Sequence, residues 1–484
     1  MNDGFEIEAL IGDLDLDILA KDGKSLSFFG LAADGTLHDL PEAGREQVLR
    51  VRVTGTPDFE VLHELLVPNG ETAAFTLSLR RRIGMLRISD DSSSVRALRI
   101  GPSSLLGRQF NMADLRGSVR VALDDVERAL ELTEPTIKVV DELEDAFQTD
   151  GFPDNIDLGL VSPQGTDLVS MVELVRGDDP NTAIPIGLSG SGTRALVTFS
   201  ILARAAPEQA IVLLEEPERG LEPFSQRIAA GNIVRLSRRG QGFITTHSPT
   251  MLEELAETCT WRVEKGRAPI ALTGEPIKAL FKMDAEAIFS PIAIVCEGPT
   301  ERGFLSVMLP QLLGKSLHNS GIHLIEGEGQ PQCLTLAETL ADTGMDIGLF
   351  IDNETKHTGF RDRVRQKTRC FVWQRVINIE HAVATHLPFD QLPRLMSVPQ
   401  KDERYTLDEV RRELGENGPD PTWEAIVAFA PESDVRNAVA RAANKGKWFK
   451  TFDNGAALAT LLLELGVPQP IQEQLEAFAR LYER

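Results

Sequence analysis

The chain has 484 residues, 42% of them apolar and 25% charged, a balance that excludes a disordered or collagen-like polymer and implies about three domains, or two large ones. Fifty Lys and Arg against seventy-three Asp and Glu leave a formal charge of −23, which weighs against a passive nucleic-acid coat but not against an enzyme that works through carboxylates. No apolar run approaches the ~20 residues of a membrane helix, the acidic start MNDGFEIEAL lacks a secretory pattern, and Cys259, Cys296, Cys333 and Cys370 are spaced for neither a disulfide framework nor a zinc knuckle, so a reducing cytoplasm is expected.

Up to residue 111 the chain reads as short strands and turns, with VLRVRVTG, FEVLHELLV and AAFTLSLRRRIGMLRI as β-rich runs and PNGE as a turn. From Met112 to Phe147, VALDDVERALEL and VVDELEDAF space apolar residues three and four apart. That periodicity predicts an amphipathic helical hairpin, packed on a core or on a second subunit. Residues 150–185 are rich in Gly, Pro and Asp and read as a loop-rich connection. Strands and helices alternate from Ile186 to Leu255, as in a parallel α/β sheet. A second alternation begins near Ile292, and the C-terminal region is mainly helical.

Three motifs follow one another in the first alternation. GLSGSGTRALVTFSILARA is a Gly/Ser turn opening a helix, where Ser189, Gly190, Ser191 and Gly192 offer backbone N–H groups to an anion such as a γ-phosphate. AIVLLEEPERGLEP is an apolar strand ending in Glu215 and Glu216. Acids at the carboxyl end of a parallel strand face the ligand crevice, so one can hold Mg²⁺ and its neighbour can orient water. GFITTHSP is a further strand, ending in His247. Each motif alone has a structural reading: a cap, a solvated acid pair, a packed histidine.

Together they resemble the ABC-type ATPase head, as signature loop, Walker B strand, D-loop and H-switch, with Gln109 of GRQFN as a Q-loop candidate. The EEPE spelling is similar to that of the OLD (overcoming lysogenisation defect) endonucleases and their RecF-like relatives. A P-loop requires G-x-x-x-x-G-K-[ST]. The only GKS, Gly23-Lys24-Ser25, has Ile18 at the leading glycine position and reads as a chance match. The resemblance therefore implies an ATPase head without its P-loop. An upstream segment, a partner polypeptide or a degenerate ATPase would each account for that, and ATP binding stays open.

In the second alternation PIAIVCEGPTERGFLSVML is an apolar strand, Glu297, a Gly-Pro turn, Glu301 and a helix. A strand at GIHLIEGEG and a helix at CLTLAETLADTG lead to DIGLFIDNETK, which ends in Asp352 and Glu354. The strand CFVWQRVI then precedes NIEHAVATHL, with Glu380. The β-α-β-α-β order with right-handed crossovers places Glu297 and Asp352 both at carboxyl ends of parallel strands, and neighbouring strands are only ~4.8 Å apart. Carboxylates so crowded need a cation or a proton between them, and oxygen ligands without His or Cys favour Mg²⁺ or Mn²⁺.

This half resembles the Toprim fold, and its EGPTE form is similar to the Toprim half of OLD nucleases. The resemblance implies Glu297, Glu301, Asp352, Glu354 and Glu380 as ligands or general-base candidates for two metal ions. In AANKGKWFKTFDNGAAL it implies a catalytic lysine, Lys447 or Lys450, with Lys445 less favoured. The run RDRVRQKTR, with Arg361, Arg363, Arg365, Lys367 and Arg369, is the clearest candidate for phosphate-backbone contact. Arg80, Arg81, Arg82 and Arg87 are a weaker basic patch, and Trp373 and Trp448 suit core packing better than base stacking.

The expected architecture is α/β. An ABC-type ATPase-like domain occupies residues 1–285, with a β-rich region (1–111), a helical dimerisation segment (112–150) and a region carrying the signature, Walker B and H-loop motifs (186–255). A Toprim domain with a C-terminal helical region occupies 286–484. The resemblance implies an ATPase-coupled, divalent-metal-dependent DNA endonuclease that works as a homodimer without a membrane partner and serves anti-phage defence. The alternative is a non-catalytic DNA-binding or regulatory subunit with a degenerate ATPase. Strand passage would need a nucleophilic tyrosine, and Tyr405 and Tyr482 stand in no such motif.

Overall fold

A computed structural model describes residues 5–13, 28–55, 61–76, 79–80, 86–88, 98–101, 104, 106–124, 132–149, 156–160, 172–177, 183–205, 210–238, 240–264, 266–353, 356–374, 378–399, 402–415 and 418–482. The GKS of residues 23–25, Arg81, Arg82 and Glu354 lie outside the described residues. The chain divides into two compact units, Met1–Leu255 and Ala256–Arg484.

The first unit opens with an antiparallel sheet built around its longest strand. The strands are β1 (Phe5–Ile11), β2 (Phe29–Leu31), β3 (Leu37–His38), β4 (Glu46–Gly55), β5 (Val61–Leu66) and β6 (Thr72–Ala74). β4 pairs with β1, β2 and β5. Alternation along β4 buries Leu49 and Val51 with Ile11, Leu65 and Phe75, while Arg50 and Arg52 on the other face pair with Glu8 and Glu64.

The two helices expected here are present as α1 (Met112–Asp124) and α2 (Glu134–Thr149), after β7 (Leu86–Ile88). α2 buries Val140, Leu143 and Phe147 in this unit's own core. The connection expected to be loop-rich instead contains β8 (Ile156–Leu160), β9 (Val172–Arg176) and β10 (Ile184–Pro185), an antiparallel sheet of order β10-β9-β8. Its composition hid a short alternation: Ile156, Leu158, Val172 and Leu174 all face the core.

Next come α3 (Ser191–Ala205), β11 (Ile211–Glu215), α4 (Pro223–Ser237), β12 (Gln241–Thr245) and α5 (Pro249–Glu254). The parallel sheet expected here has the order β12-β11-β7. β12 forms one edge, with Phe243 58% exposed.

The second unit begins with an antiparallel pair, β13 (Thr260–Arg262) and β14 (Ile270–Leu272), and α6 (Glu275–Asp284). Arg262 donates to Thr343 O at 3.1 Å, and His323 Nε2 lies 2.9 Å from both Asp284 carboxylate oxygens. These bonds tie residues 256–285 to the second unit, so the division falls ahead of the expected 285/286 boundary.

The central sheet is wholly parallel, with β15 (Ile292–Cys296), β16 (Ile322–Glu326), β17 (Asp346–Ile351) and β18 (Arg369–Val372) in the order β16-β15-β17-β18. All five residues of β15 are buried, as expected of a strand covered by helices on both faces. The crossovers are α7 (Pro299–Leu313), α8 (Gln330–Asp342) and α9 (Thr358–Arg365). The helical region follows as α10 (Ile379–His386), α11 (Leu392–Ser397), α12 (Glu403–Glu413), α13 (Trp423–Phe429), α14 (Glu432–Lys445), α15 (Phe452–Leu465) and α16 (Gln469–Ala479). Trp373 packs edge-on against Phe350 and Phe371, and Trp448 donates to Glu409 at 2.6 Å; both are core residues. Tyr482 is buried, and Tyr405 stands half exposed without a nucleophile's setting.

Candidate active site

β15 and β17 run side by side and end at the same level, with Cys296 opposite Phe350. The next residue on each path to the pocket is acidic. Glu297 N donates to Phe350 O at 3.0 Å, continuing the ladder. Its side chain then turns across the sheet, where Oε2 accepts Asp352 N at 2.9 Å. Glu301 lies in the first turn of α7, four residues after Glu297, and is 3% exposed. Asp352 is 6% exposed, and Glu380, in the first turn of α10, is 2% exposed. Acids in first turns favour their helix dipoles, but burial at this depth needs further compensation.

One cation supplies some of it. Lys450 Nζ lies 3.7 Å from Glu380 Oε1. Burial alone would lower the Lys450 pKa, yet Glu380, Glu301, Asp352 and Glu297 together hold it above its ordinary value. Lys445 faces elsewhere, paired with Glu413 at 2.7 Å, and Lys447 sits exposed on the turn with φ of 53°. Glycines explain how Lys450 arrives. A Cβ on Gly303 would stand 2.0 Å from Phe452 O, and one on Gly455 would stand 2.3 Å from Thr300 O. α7 and α15 therefore touch through backbone, and Thr300 Oγ1 donates to Phe449 O at 2.7 Å, next to Lys450.

The charge remains unbalanced, four acids to one ammonium. Burial, then repulsion from Glu301, Glu297 and Glu380, pushes Asp352 well above the usual carboxylate range. Burial also raises Glu301 to about 7, against the pull of Lys450. Asp352 Oδ1 and both Glu380 carboxylate oxygens are buried with no hydrogen-bond donor. Among the described residues no three His, Cys, Asp or Glu side chains are already drawn to metal-ligand geometry. Orphaned carboxylate oxygens of this chemistry nevertheless fit a hard divalent cation, which would supply the missing positive charge.

In the first unit the Gly/Ser turn caps α3. Gly190 and Ser191 are exposed, whereas Ser189 is buried and its Oγ has no hydrogen-bond partner. A Cβ on Gly192 would stand 2.6 Å from Gly220 O, so the turn packs directly against the loop after β11. Glu215, at the end of β11, lies 3.3 Å from Arg87 on β7. Glu216 has φ of 45° and lies 2.5 Å from Arg219. His247 N donates to Glu218 Oε1 at 2.7 Å, as does Thr246 Oγ1 at 2.9 Å. Glu218 therefore ties the two strand ends together. Its role was legible only as a third acid in EEPE, because a carboxylate spent on a backbone N–H and a threonine hydroxyl has no sequence signature. Gln109 ends a short 3₁₀ turn, Leu106–Gln109.

Residues 74–253 match the family described as "AAA domain, putative AbiEii toxin, Type IV TA system", and residues 288–353 match "Overcoming lysogenization defect protein-like, TOPRIM domain". Endonuclease GajA of Bacillus cereus (strain VD045) is 29% identical over 200 residues, 38% of this chain and 34% of GajA. The second of these segments is an OLD-like Toprim domain. The chain thus joins an AAA-type ATPase domain to a Toprim domain with a parallel sheet. Protein ea59 of Escherichia phage lambda is 34% identical over 84 residues, 16% of each chain. The matched stretches thus span about a third of one relative and a sixth of the other. Among solved structures, the Smc head bound to the C-winged helix domain of ScpA overlaps 52% of this chain and 68% of its own, with TM-score 0.29 and 16% identity. The SMC head domain from Thermotoga maritima overlaps 48% and 71%, with TM-score 0.25 and 13% identity.

The basic run forms α9, the turn after it and the first residue of β18. Arg363 pairs with Glu338 at 3.0 Å, Lys367 with Asp342 at 2.7 Å and Arg369 with Asp346 at 2.7 Å. These charges first neutralise acids of α8 and β17. Arg361 donates to Asn353 Oδ1 at 3.0 Å and so borders Asp352. Arg365 lies in the last turn of α9.

The buried acids make cation-free stability depend on pH. The folded pKa of Glu301 lies above its unfolded value, so its contribution is full below the ordinary Glu range and is lost as pH rises through about 7. Melting in chelator should therefore show a midpoint falling across that window. Glu301→Gln should flatten the fall, and Mn²⁺ should stabilise more as pH rises. A chelator midpoint that climbs with pH in wild type but not in Glu301→Gln would contradict the assignment.

Proposed function

We propose that this chain is a divalent-cation-dependent DNA endonuclease whose Toprim pocket hydrolyses phosphodiester bonds and leaves a 5′-phosphate. The carrying observation is the gathering of buried Glu301, Asp352 and Glu380 and half-buried Glu297 around Lys450, with carboxylate oxygens left without donors. These acids, together with Glu354, would hold Mg²⁺ or Mn²⁺, two ions in the full reading, and the metal would supply an activated water and a counter-charge for the leaving oxygen. Lys450 meets the scissile phosphate with a fixed positive charge, and Glu297 and Asp352 keep their orientation through the Asp352 N–H bond. Arg361 and Arg365, with Arg363, Lys367 and Arg369 sharing their charge between acids and DNA, would line the approach of the backbone.

The head would bind ATP through Ser189, Gly190, Ser191 and Gly192, with Glu215 toward Mg²⁺, Glu216 toward water and His247 toward the γ-phosphate. In such heads one subunit's signature turn completes another's phosphate site. The exposure of Gly190 and Ser191 supports that use and hence a homodimer. Weak or absent ATP turnover by residues 1–484 alone is expected. The biological setting in this reading is anti-phage defence, inside the cytoplasm.

Incubating the protein with supercoiled plasmid and Mg²⁺ or Mn²⁺ tests the reading: nicking is expected, and none in chelator. Lys450→Ala should remove most of the activity, by about 10²-fold or more, as for loss of one preorganised charge at a transition state. Lys447→Ala should stay near wild type. The reverse ranking would reassign the lysine.

A further inference from the structure

Gln330 is the first residue of α8 and is 2% exposed. The GEG turn before it explains its position. Gly327 N donates to Cys296 O at 2.9 Å, and Gly329 N donates to Glu297 O at 2.8 Å, so the chain leaving β16 stays laced to the end of β15. A Cβ on Gly327 would stand 2.7 Å from Cys333 Cβ and 2.8 Å from Cys296 O, and Gly329 has φ of 99°. Only glycine admits this approach. The turn delivers the Gln330 side chain between the two strand-end acids. Nε2 donates to Glu297 Oε2 at 3.3 Å and to Asp352 O at 3.0 Å. Both partners are acceptors, so the amide orientation is determined: Nε2 faces Glu297 Oε2 and Asp352 O. Gln330 Oε1 is buried and has no hydrogen-bond partner.

We propose that Gln330 is a positioning residue of the acidic pocket: its NH₂ locks Glu297 against the end of β17, and its orphaned carbonyl oxygen accepts from a water carried by the bound cation. The inference rests on the cation reading above. A buried acceptor left empty costs stability, and water on a bound cation would supply a donor to it. Outer-shell partners of this kind set ligand orientation and hence affinity.

The test is Mn²⁺ binding to the full chain, read by the electron-spin signal of free Mn²⁺, beside melting in chelator. Gln330→Met keeps the volume and removes both functions. Its Mn²⁺ affinity should fall by about 10–100-fold, with a chelator melting midpoint close to wild type and nicking recovering at high Mn²⁺. Should Gln330→Met fail to fold, Gln330→Asn keeps the amide but falls one methylene short of bridging Glu297 and Asp352 O, and it should also bind Mn²⁺ more weakly. Wild-type affinity in a folded variant would overturn the role of Gln330 alone. Absence of Mn²⁺ binding by the wild-type protein would overturn the cation reading itself. A lowered midpoint in chelator with unchanged Mn²⁺ affinity would mark Gln330 as structural only.

Discussion

Asp352→Asn should abolish nicking by Mg²⁺ or Mn²⁺ and at the same time raise the melting midpoint of the cation-free protein above neutral pH. Both effects follow from one circumstance. Asp352 is a buried carboxyl whose Oδ1 has no donor and whose neighbours Glu301, Glu297 and Glu380 repel its charge. An amide of the same shape removes the repulsion, so the empty pocket gains stability. It also removes an anionic ligand, a loss larger than the roughly 10–100-fold that follows removal of an outer-shell partner. Glu297→Gln should lose nicking too, with a smaller gain in stability, because its carboxylate already accepts from Asp352 N and Gln330. Nicking gels and melting curves on the same preparations decide the matter. Full activity in both variants would remove the metal assignment, and unfolding of both would show that the acids are structural.

The largest stability effect is expected at Gly303. Alanine there would drive a methyl group to 2.0 Å from Phe452 O, against backbone rather than a side chain that can rotate away. α7 and α15 would have to separate, at a cost of about 3 kcal/mol, the upper end of the usual range for overpacking. The Thr300–Phe449 bond lies on the same contact and Lys450 follows it directly, so nicking should fall with stability. Gly359→Ala is the matched control. It lies in α9 of the same unit, nothing stands within 4 Å of its added Cβ, and replacing a helical glycine should be neutral or stabilising by up to about 1 kcal/mol. Urea midpoints of the two variants read the difference. Equal midpoints would show that the close approach is relieved at no cost.

Local pattern carried much of the architecture. The short apolar runs IAIVC and IGLFI, each followed by an acid and a turn within a strand–helix alternation, read as covered parallel strands, which put the acids just beyond them at strand ends. Glu301 followed from helical spacing. The hairpin of residues 156–176 was not legible, because each strand offers a few alternating residues amid Gly, Pro and Asp. The basic run was legible in sign but not in use: Glu338, Asp342 and Asp346, which neutralise it, come from α8 and β17.

The amino-acid sequence by itself therefore determined the order of the two domains, the strand-end positions of Glu215, Glu297 and Asp352, and the acidic character of the second pocket. These depend on periodicity and on the right-handed crossover, which neighbouring residues dictate. Tertiary structure alone decided that Lys450 rather than Lys447 meets the acids, and that Gln330 and Glu218 hold strand ends in place. Each depends on how closely two distant backbones approach, and that distance is set where glycine removes the side chain that would keep them apart.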